Sequence, residues 1–318
     1  MNREKRILKP EKPVLVIGAA GVDIVGRMCG EVLERSSNPA QIRTSFGGVA
    51  RNVAENLARL GQEVVLLSAV GNDIYGEQLL KTACSAGINT DYILKLDQQS
   101  TGMYIGVYNA AIELLFALDN MEIISAITPD YIRKNERLFK NASCVFVDMN
   151  LSPDTLRAIF SLAKRHRLVV CADTTSVHLA NKLIPYLSNL FLITPNASEA
   201  ALLVDPTKKI TSRKQALLAA KALVSKGVEI VIITLGEHGL CYATSETNGY
   251  IPAIQTDISD PTGAGDALTA TVLFALLNEI PLDDAVRLGV SAATLTLQFP
   301  GSVIPDLTLE KLYDQLVI

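Results

Sequence analysis

Short apolar runs alternate along this chain with longer segments whose apolar positions recur at helical spacing. The run at residues 14–18 follows Pro13, as expected for a strand buried on both faces of a parallel sheet. Comparable runs lie at 64–70, 91–96, 144–149, 168–172, 190–194 and 229–234. Helical patterns lie at 53–60, 73–87, 130–140, 153–165, 176–184, 197–203 and 212–226, and three more begin near 264, 282 and 308. Strands that alternate with helices in this way predict a mostly parallel sheet covered by helices on both faces.

Two segments do not fit this alternation. Residues 24–46 alternate only in part and contain a turn at 36–39, whereas residues 100–118 have the pattern of two strands around a turn at 109–111. We expect the two segments to form one small accessory sheet. Because no repeat or low-complexity linker divides the chain, the expected organisation is a single domain, residues 1–318, with lid segments at about 24–46 and 100–118.

Composition and charge exclude several classes of protein. The 318 residues are 49% apolar and 19% charged, with a net charge of −4, so a large core is expected and nucleic acid is a poor candidate partner. The basic start, Met1 to Lys12, has no apolar segment of the kind that signal peptides carry, and no run is long enough to span a membrane. Five scattered cysteines without metal-type spacing indicate free thiols in a reducing compartment, which predicts a cytoplasmic protein.

A glycine-rich helix start is the strongest candidate for chemistry: Asp260-Pro261-Thr262-Gly263-Ala264-Gly265-Asp266. Small residues at a helix N-terminus let main-chain N–H groups approach a polyphosphate, which the positive end of the helix also attracts. Asp266 then falls in the first helical turn, where a carboxylate is useful if it takes a proton from a hydroxyl that attacks the phosphate. Its pKa is expected to be ordinary, about 4, which makes it a weak base for an alcohol. The alternative is an ordinary helix start with Asp266 as an early-turn residue.

A second candidate site combines a carboxylate with another glycine pair. Asp23 follows the first predicted strand, at the sheet edge where open α/β folds bind ligands, although it could be only a turn residue. Gly47 and Gly48 precede a helix, and Asn52 lies one turn into it, where its amide can both donate and accept bonds to a polyol. A tight turn without function is the alternative for the two glycines.

These motifs resemble the two signatures of the PfkB (ribokinase-like) carbohydrate kinases. The first signature is matched by Gly47-Gly48-Val49-Ala50-Arg51-Asn52-Val53-Ala54, followed by Gly61 and Gly71. The second is matched by the segment 260–266, about 200 residues later. Shorter landmarks match as well: Asp23, Asp73, Asn196 with Glu199, and Thr234 with Gly236. The resemblance covers essentially the whole chain, and it implies a three-layer α/β/α core with a small β-sheet lid.

The resemblance also implies a role for each matching residue in ATP-dependent transfer of the γ-phosphoryl group to a sugar hydroxyl. Asp266 would be the general base. The N–H groups that stabilise the transferred phosphoryl group would be those of Gly263, Ala264 and Gly265. The acceptor's hydroxyls would bind Asp23, Gly47, Gly48 and Asn52. ATP would contact Asn196, Thr234, Gly236, Thr262 and Gly265. Mg²⁺ would be held by Asn196 and Glu199, directly or through water, and Asp260 corresponds to a site for a monovalent cation such as K⁺ in some relatives.

The acceptor is less well defined by the sequence. Within the family, Arg51 before Asn52 and the segment Asp119-Asn120-Met121 are similar to pseudouridine kinases, which implies the 5′-hydroxyl of pseudouridine as the acceptor. Ribose, another nucleoside or a hexose remains an alternative. The lid segment 99–118 contains no Lys or Arg, which disfavours a phosphorylated acceptor, but Arg27, Arg43 and Arg51 lie nearby in sequence and keep a sugar phosphate as an alternative.

Other classes of function are weaker candidates. A regulator that binds sugars or nucleosides without catalysis would not need Asp266 or the metal motif. The chain lacks a Gly-x-x-x-x-Gly-Lys-Ser/Thr motif and lacks Gly-x-Gly-x-x-Gly after its first strand, which excludes a P-loop kinase and disfavours a dinucleotide enzyme. His166, His178 and His238 are isolated in sequence, so surface or structural roles are expected for them. The resemblance finally suggests a homodimer through the lid, whose edge strands would otherwise stay open.

Overall fold

The computed structural model describes residues 11–316, so most of the basic N-terminal segment, Met1 to Lys12, lies outside the described residues. The strands within this range are β1 (Val14–Ile17), β2 (Gly21–Met28), β3 (Ala40–Gly47), β4 (Val64–Gly71), β5 (Ile88–Leu96), β6 (Gly102–Tyr108), β7 (Leu114–Asn120), β8 (Val145–Val147), β9 (Val170–Ala172), β10 (Leu190–Ile193), β11 (Ile230–Thr234), β12 (Leu240–Ala243) and β13 (Asn248–Ile251). The α-helices are α1 (Val49–Arg59), α2 (Ile74–Ser85), α3 (Pro129–Lys134), α4 (Glu136–Asn141), α5 (Pro153–Arg165), α6 (Val177–Ala180), α7 (Ala197–Val204), α8 (Arg213–Ser225), α9 (Ala264–Leu277), α10 (Leu282–Gln298) and α11 (Leu309–Leu316). None of the helices in residues 11–316 combines the length and apolarity needed to cross a bilayer.

A nine-stranded sheet forms the centre of the molecule, in the order β13-β12-β11-β10-β9-β8-β1-β4-β5. Its strands are parallel from β5 to β11, and at the other edge β12 pairs antiparallel with both β11 and β13. β1 lies in the middle, where Leu15 is in register with Val65 of β4 and Val145 of β8. The parallel ladder confirms the α/β architecture that the sequence pattern predicted.

Apolar side chains cover both faces of this sheet, as the continuous apolar run at 14–18 requires. Leu15 and Ile17 of β1 belong to a core cluster that α5, α7 and α8 complete on one face. Val14 and Val16 belong to a second cluster, on the opposite face, with residues of α1, α9 and α10. Because successive side chains of a strand point to opposite faces, one buried strand supplies both cores of the three-layer structure.

A separate four-stranded sheet has the order β3-β2-β6-β7. β2 and β6, which are far apart in sequence, pair in parallel along their lengths, with Asp23 in register with Tyr104. β3 and β7 pair antiparallel to them and form the two edges. The two irregular segments therefore combine into one small sheet, and its strands extend a few residues beyond the expected bounds of 24–46 and 100–118.

Two helices differ from the helical patterns in the sequence. The helix expected at 130–140 is interrupted at Asn135, whose side-chain amide donates to the carbonyl of Tyr131 at 2.9 Å. Such local side-chain bonds compete with the helical ladder. The helix expected at 176–184 is a single α turn followed by a 3₁₀ segment that contains Pro185, which has no N–H to donate.

Candidate active site

Polar residues follow several strands of the large sheet at the carboxyl-terminal edge. Asp148 comes directly after β8, Asp173 directly after β9, and Asn196 shortly after β10. Asp23 lies on β2, where the chain leaves β1 for the small sheet. In open parallel sheets the crevice at this edge is the usual ligand site. The topology therefore gathers the candidate residues on one side of the molecule.

The N-terminus of α9 faces this edge. Gly263 is in the left-handed region at φ 82°, and a Cβ there would collide with the carbonyl of Ser302, so the turn requires glycine. The first intrahelical bond runs from the N–H of Ala267 to the carbonyl of Gly263 at 2.9 Å. The N–H groups before Ala267 have no partner within the helix, and a Cβ on Gly265 would meet open space. This geometry suits an anion at the helix end.

A hydrogen bond joins the two motifs that the sequence separates most widely. The side-chain amide of Asn52, in the second turn of α1, donates to Oδ2 of Asp266 at 2.8 Å, across 214 residues of sequence. α1 begins at Val49, directly after the glycine pair, and Asp266 lies in the first turn of α9. The acceptor motif and the anion-binding motif therefore form one site.

The carboxylates of this site do not have ordinary pKa values. Burial raises the pKa of Asp266 to about 7; the negative charges of Asp23 and Asp148 act in the same direction, and the hydrogen bond from Asn52 acts against it. Burial likewise raises the pKa of Asp23 to about 7, opposed by the charge of Arg51. The expected pKa of about 4 for Asp266 was therefore wrong. A carboxylate with a pKa near neutrality is a better proton acceptor at physiological pH than an ordinary one.

A cavity of about 300 Å³ lies between the small sheet and the edge of the large one. Five expected site residues line it: Asp23, Gly48, Asn52, Thr262 and Asp266. Its other walls include residues that the sequence did not place at the site: Tyr104, Tyr108, Asp119, Asn150, Ser176 and His178. His178, for which a surface or structural role was expected, thus borders the cavity. Lys and Arg are absent from the lining formed by the described residues, which argues against a phosphorylated acceptor.

Gly47, expected to contact the acceptor, is buried and lies against Asp23, outside the cavity lining. A Cβ at this position would collide with the Asp23 carboxyl group. The absence of a side chain at Gly47 therefore leaves room for the carboxylate that does line the cavity.

A second cavity, of about 400 Å³, contains three of the expected nucleotide residues: Asn196, Thr234 and Gly236. Its wall includes Arg213, whose guanidinium stacks on the ring of Tyr250 at 3.6 Å from the centroid. Thr262 lines the first cavity instead. A hydrogen bond of 2.7 Å between the hydroxyls of Thr194 and Thr269 connects the strand end before Asn196 to α9.

The expected magnesium residues form the capping box of α7. The side-chain oxygen of Asn196 accepts from the N–H groups of Ser198 and Glu199, and Oε2 of Glu199 accepts from the N–H of Asn196 at 2.9 Å. The hydroxyl of Thr174 donates to the same Glu199 oxygen at 2.6 Å. Burial raises the pKa of Asp173, and the negative charges of Asp266 and Glu199 act in the same direction.

This donor set fits Mg²⁺, which prefers oxygen ligands and usually keeps several waters. Residues 11–316 contain no group of three or more His, Cys, Asp or Glu side chains that could hold a metal on their own. Asp260, the expected residue for a monovalent cation, is 4% exposed, and its carboxylate accepts from the N–H of Thr262 at 2.9 Å. Its own N–H reaches the carbonyl of Leu297, which places the segment beside the end of α10.

Asp148 also belongs to the site, although the sequence did not indicate it. It is fully buried and accepts from the N–H groups of Ala19, Ala50 and Asn150 at 2.7, 3.2 and 2.9 Å. These three hydrogen bonds hold the ends of β1 and β8 against the start of α1 at the site. Its position directly after an apolar strand, like that of Asp173, was the available signal.

Solved structures show the same fold over nearly the whole chain. A carbohydrate kinase from Agrobacterium tumefaciens superposes with a TM-score of 0.80 at 26% sequence identity, covering 96% of this chain and 97% of that one. An E. coli protein assigned as ribokinase II, in complex with ATP and Mg²⁺, superposes with a TM-score of 0.81 at 17% identity, covering 96% and 99%. The chain therefore has the ribokinase-like fold.

The sequence comparisons show the family. A model of the pfkB family carbohydrate kinases matches residues 12–309, so the chain belongs to the PfkB family. Its activity is therefore phosphoryl transfer to an alcohol group of a sugar or nucleoside. Among its relatives, the pseudouridine kinase of Escherichia coli K12 is 29% identical over 297 residues, which cover 93% of this chain and 94% of that protein.

Proposed function

We propose that this kinase transfers the γ-phosphoryl group of ATP to the 5′-hydroxyl of pseudouridine, with Asp266 as the general base. The observation that carries the proposal is the bond from Asn52 to Asp266 at the edge of a cavity whose described lining residues include neither Lys nor Arg. A neutral polyol fits such a cavity better than a sugar phosphate does. Its volume of about 300 Å³ is at the lower end of the range for small-molecule sites.

Each residue of the proposed mechanism acts on the acceptor hydroxyl or on the transferred group. Asp23 and Asn52 hold the acceptor's hydroxyls, and Asp266 accepts the proton of the attacking one. The N–H groups of Gly263, Ala264 and Gly265 bind the oxygens on which negative charge develops in the transition state. An aligned base of this kind contributes roughly 10²–10⁴-fold to the rate.

ATP is proposed to lie in the 400 Å³ cavity, against Asn196, Thr234 and Gly236, with its terminal phosphate at the start of α9. Glu199, with Asn196 and Asp173 nearby, is proposed to hold Mg²⁺ through water, and the ion supplies charge neutralisation on the phosphate oxygens when bound. Asp260 is the proposed residue for K⁺. We propose that the whole chain acts as one kinase domain, in which the small sheet closes over the acceptor and excludes water.

One wall of the cavity supports pseudouridine over other nucleosides as the proposed acceptor. Its C-glycosidic base carries one N–H group more than that of uridine, and Asp119 of β7 provides an acceptor on the lid side of the cavity. Tyr104 and Tyr108 of β6 add apolar ring surface beside it. The similarity to the E. coli pseudouridine kinase points to the same substrate. Ribose, which has no base, would leave this wall unused.

The first test is ADP release from ATP and Mg²⁺ with pseudouridine, uridine, adenosine, ribose, fructose and fructose 6-phosphate as acceptors. A clear preference for pseudouridine over uridine, reduced in Asp119→Ala, is expected. Preference for ribose or fructose would refute the nucleoside assignment and leave the family activity intact. Binding of ATP without turnover of any acceptor would favour a non-catalytic binding protein.

The lid also supports a homodimer. Leu114, Phe116 and Leu118 of the edge strand β7 are 51%, 55% and 59% exposed, and Ile42 of the other edge strand is 71% exposed. Apolar edge strands are rarely left open to solvent. We propose that a second copy of the chain covers them. Light scattering of the wild type should give twice the mass of one chain, and the Phe116→Lys variant should have the mass of a single chain. A monomeric wild type would refute the proposal.

A further inference from the structure

The side-chain amide of Asn52 is held at both of its ends. Its nitrogen donates to Oδ2 of Asp266 at 2.8 Å. Its oxygen accepts from Nη1 of Arg51 at 3.1 Å and from the hydroxyl of Ser302 at 3.2 Å. Since guanidinium nitrogens only donate, the oxygen end of the amide must face Arg51. The nitrogen end is therefore directed at Asp266.

Arg51 is itself fixed in place. It is 4% exposed, donates to the carbonyl of Phe46 at 2.8 Å and pairs with the buried carboxylate of Glu55. The hydroxyl of Ser302 shares its single proton between the Asn52 oxygen and the same Phe46 carbonyl, from which it lies 2.7 Å away. Arg59 holds the other oxygen of Glu55 at 3.1 Å. A continuous polar network thus runs from α1 through Asn52 to the first turn of α9.

The charges around this network come from several elements. α1 contributes Arg51, Glu55 and Arg59, β2 contributes Asp23, and the loops contribute Asp148, Asp173 and Asp260. Burial raises the pKa of both Asp23 and Asp266, and the positive charge of Arg51 opposes that rise at each of them. Arg51 is therefore coupled to the carboxylates electrostatically as well as through Asn52.

We propose that Arg51 is a positioning residue of the phosphoryl-transfer site. Together with Ser302 it holds the amide of Asn52 toward Asp266, and its charge keeps the carboxylates of the site available in their ionised form. This inference rests on the proposed role of Asp266 as the base. Arg51 lies behind Asn52, outside the lining of the acceptor cavity.

Three variants separate the two effects of Arg51. Arg51→Gln combined with Glu55→Gln removes the guanidinium charge together with the buried carboxylate that pairs with it, so that no carboxylate is left unpaired at position 55. Ser302→Ala removes the other hydrogen bond to the Asn52 oxygen and leaves every charge in place. Arg59→Gln is the matched control, because it removes a cation that pairs with the same Glu55 and does not contact Asn52.

The main readout is the pH dependence of kcat, measured with whichever of pseudouridine and ribose is turned over faster. The acidic limb of the pH profile of kcat should move to higher pH by about one unit in the Arg51→Gln/Glu55→Gln variant. The reason is that the positive charge of Arg51, which favours the ionised carboxylates, is lost. In Ser302→Ala, kcat should fall about tenfold with the limb unmoved. Arg59→Gln should change neither. An unmoved limb in the double variant, at unchanged folding by thermal melts, would overturn the proposal.

A second readout needs no acceptor, so it separates failure of this inference from failure of the proposed function. The stabilisation of the ligand-free protein by Asp266→Asn at pH 8 is compared in the wild-type, Arg51→Gln/Glu55→Gln and Arg59→Gln backgrounds. The stabilisation by Asp266→Asn should be larger in the Arg51→Gln/Glu55→Gln background than in the wild type, and it should be unchanged in the Arg59→Gln background. Equal values in all three backgrounds would refute the coupling, even if none of the acceptors is phosphorylated.

Discussion

Asp266→Asn should stabilise the ligand-free protein while it lowers turnover. Burial raises the pKa of Asp266 from 3.8 to about 7, so the folded state holds the proton more tightly than the unfolded state does. The contribution of such a group to stability is complete below pH 4 and is lost as the pH rises through 7. A neutral amide avoids that loss, and its side-chain oxygen can still accept the bond from Asn52.

The size of the effect follows from the shift in pKa. At about 1.4 kcal/mol per unit, a shift from 3.8 to about 7 sets an upper limit of roughly 4 kcal/mol at pH 8 and roughly 2 kcal/mol at pH 5. Because Asp266 borders an open cavity, water screens part of this penalty, and we expect about 1–3 kcal/mol at pH 8. Turnover should fall roughly 10²–10⁴-fold in the same variant.

Urea unfolding of ligand-free wild type and Asp266→Asn at pH 5 and pH 8 measures this difference directly. Asp130→Asn is a suitable control, because it makes the same change of charge at a side chain that is 93% exposed. The gain in the free energy of unfolding should be larger at pH 8 than at pH 5 for Asp266→Asn and negligible for the control. Equal stability of wild type and Asp266→Asn at both pH values would refute the raised pKa.

Three further results are expected. The kcat of the wild type should rise with pH through about 7, because Asp266 must lose its proton to act as a base, and a flat profile from pH 5.5 to 9 would contradict this. Gly263→Ala should destabilise the protein by about 2 kcal/mol or more in thermal melts. Gly61→Ala is the control, because Gly61 has a similar φ with open space around it, and this variant should lose about 1 kcal/mol. Equal losses would argue against the close contact between position 263 and the carbonyl of Ser302. Asp73→Ala should raise KM for the acceptor and lower the free energy of unfolding by about 1–3 kcal/mol. The reason is that Asp73 caps α2 and accepts from the N–H and the hydroxyl of Thr101 at the base of the lid. Unchanged values of both would show that this anchor is dispensable.

Much of the fold could be predicted because its signals are local. The run at 14–18 is apolar at every position, and a strand buried on both faces needs that composition whatever its neighbours are. The same applies to the glycine-rich turn before α9, since only glycine accepts the conformation and the close contact found at Gly263. The prediction of one continuous helix at 130–140 was wrong for a local reason as well. The side chain of Asn135 donates to the carbonyl of Tyr131, and the spacing of apolar residues carries no information about such a bond.

The layered α/β fold, the two glycine-rich motifs and the choice of Asp266, Asp23 and Asn52 as candidates could all be predicted from local sequence. Three features could be seen only in the folded chain: Asn52 bonds to Asp266 across 214 residues, Gly47 makes room for Asp23, and Tyr104 and His178 line the cavity. The tertiary structure also decided the pKa of Asp266, which was expected near 4 and is about 7. The physical reason is that backbone preference and periodicity depend on neighbouring residues, whereas burial and charge at a site depend on segments that meet only in the folded chain.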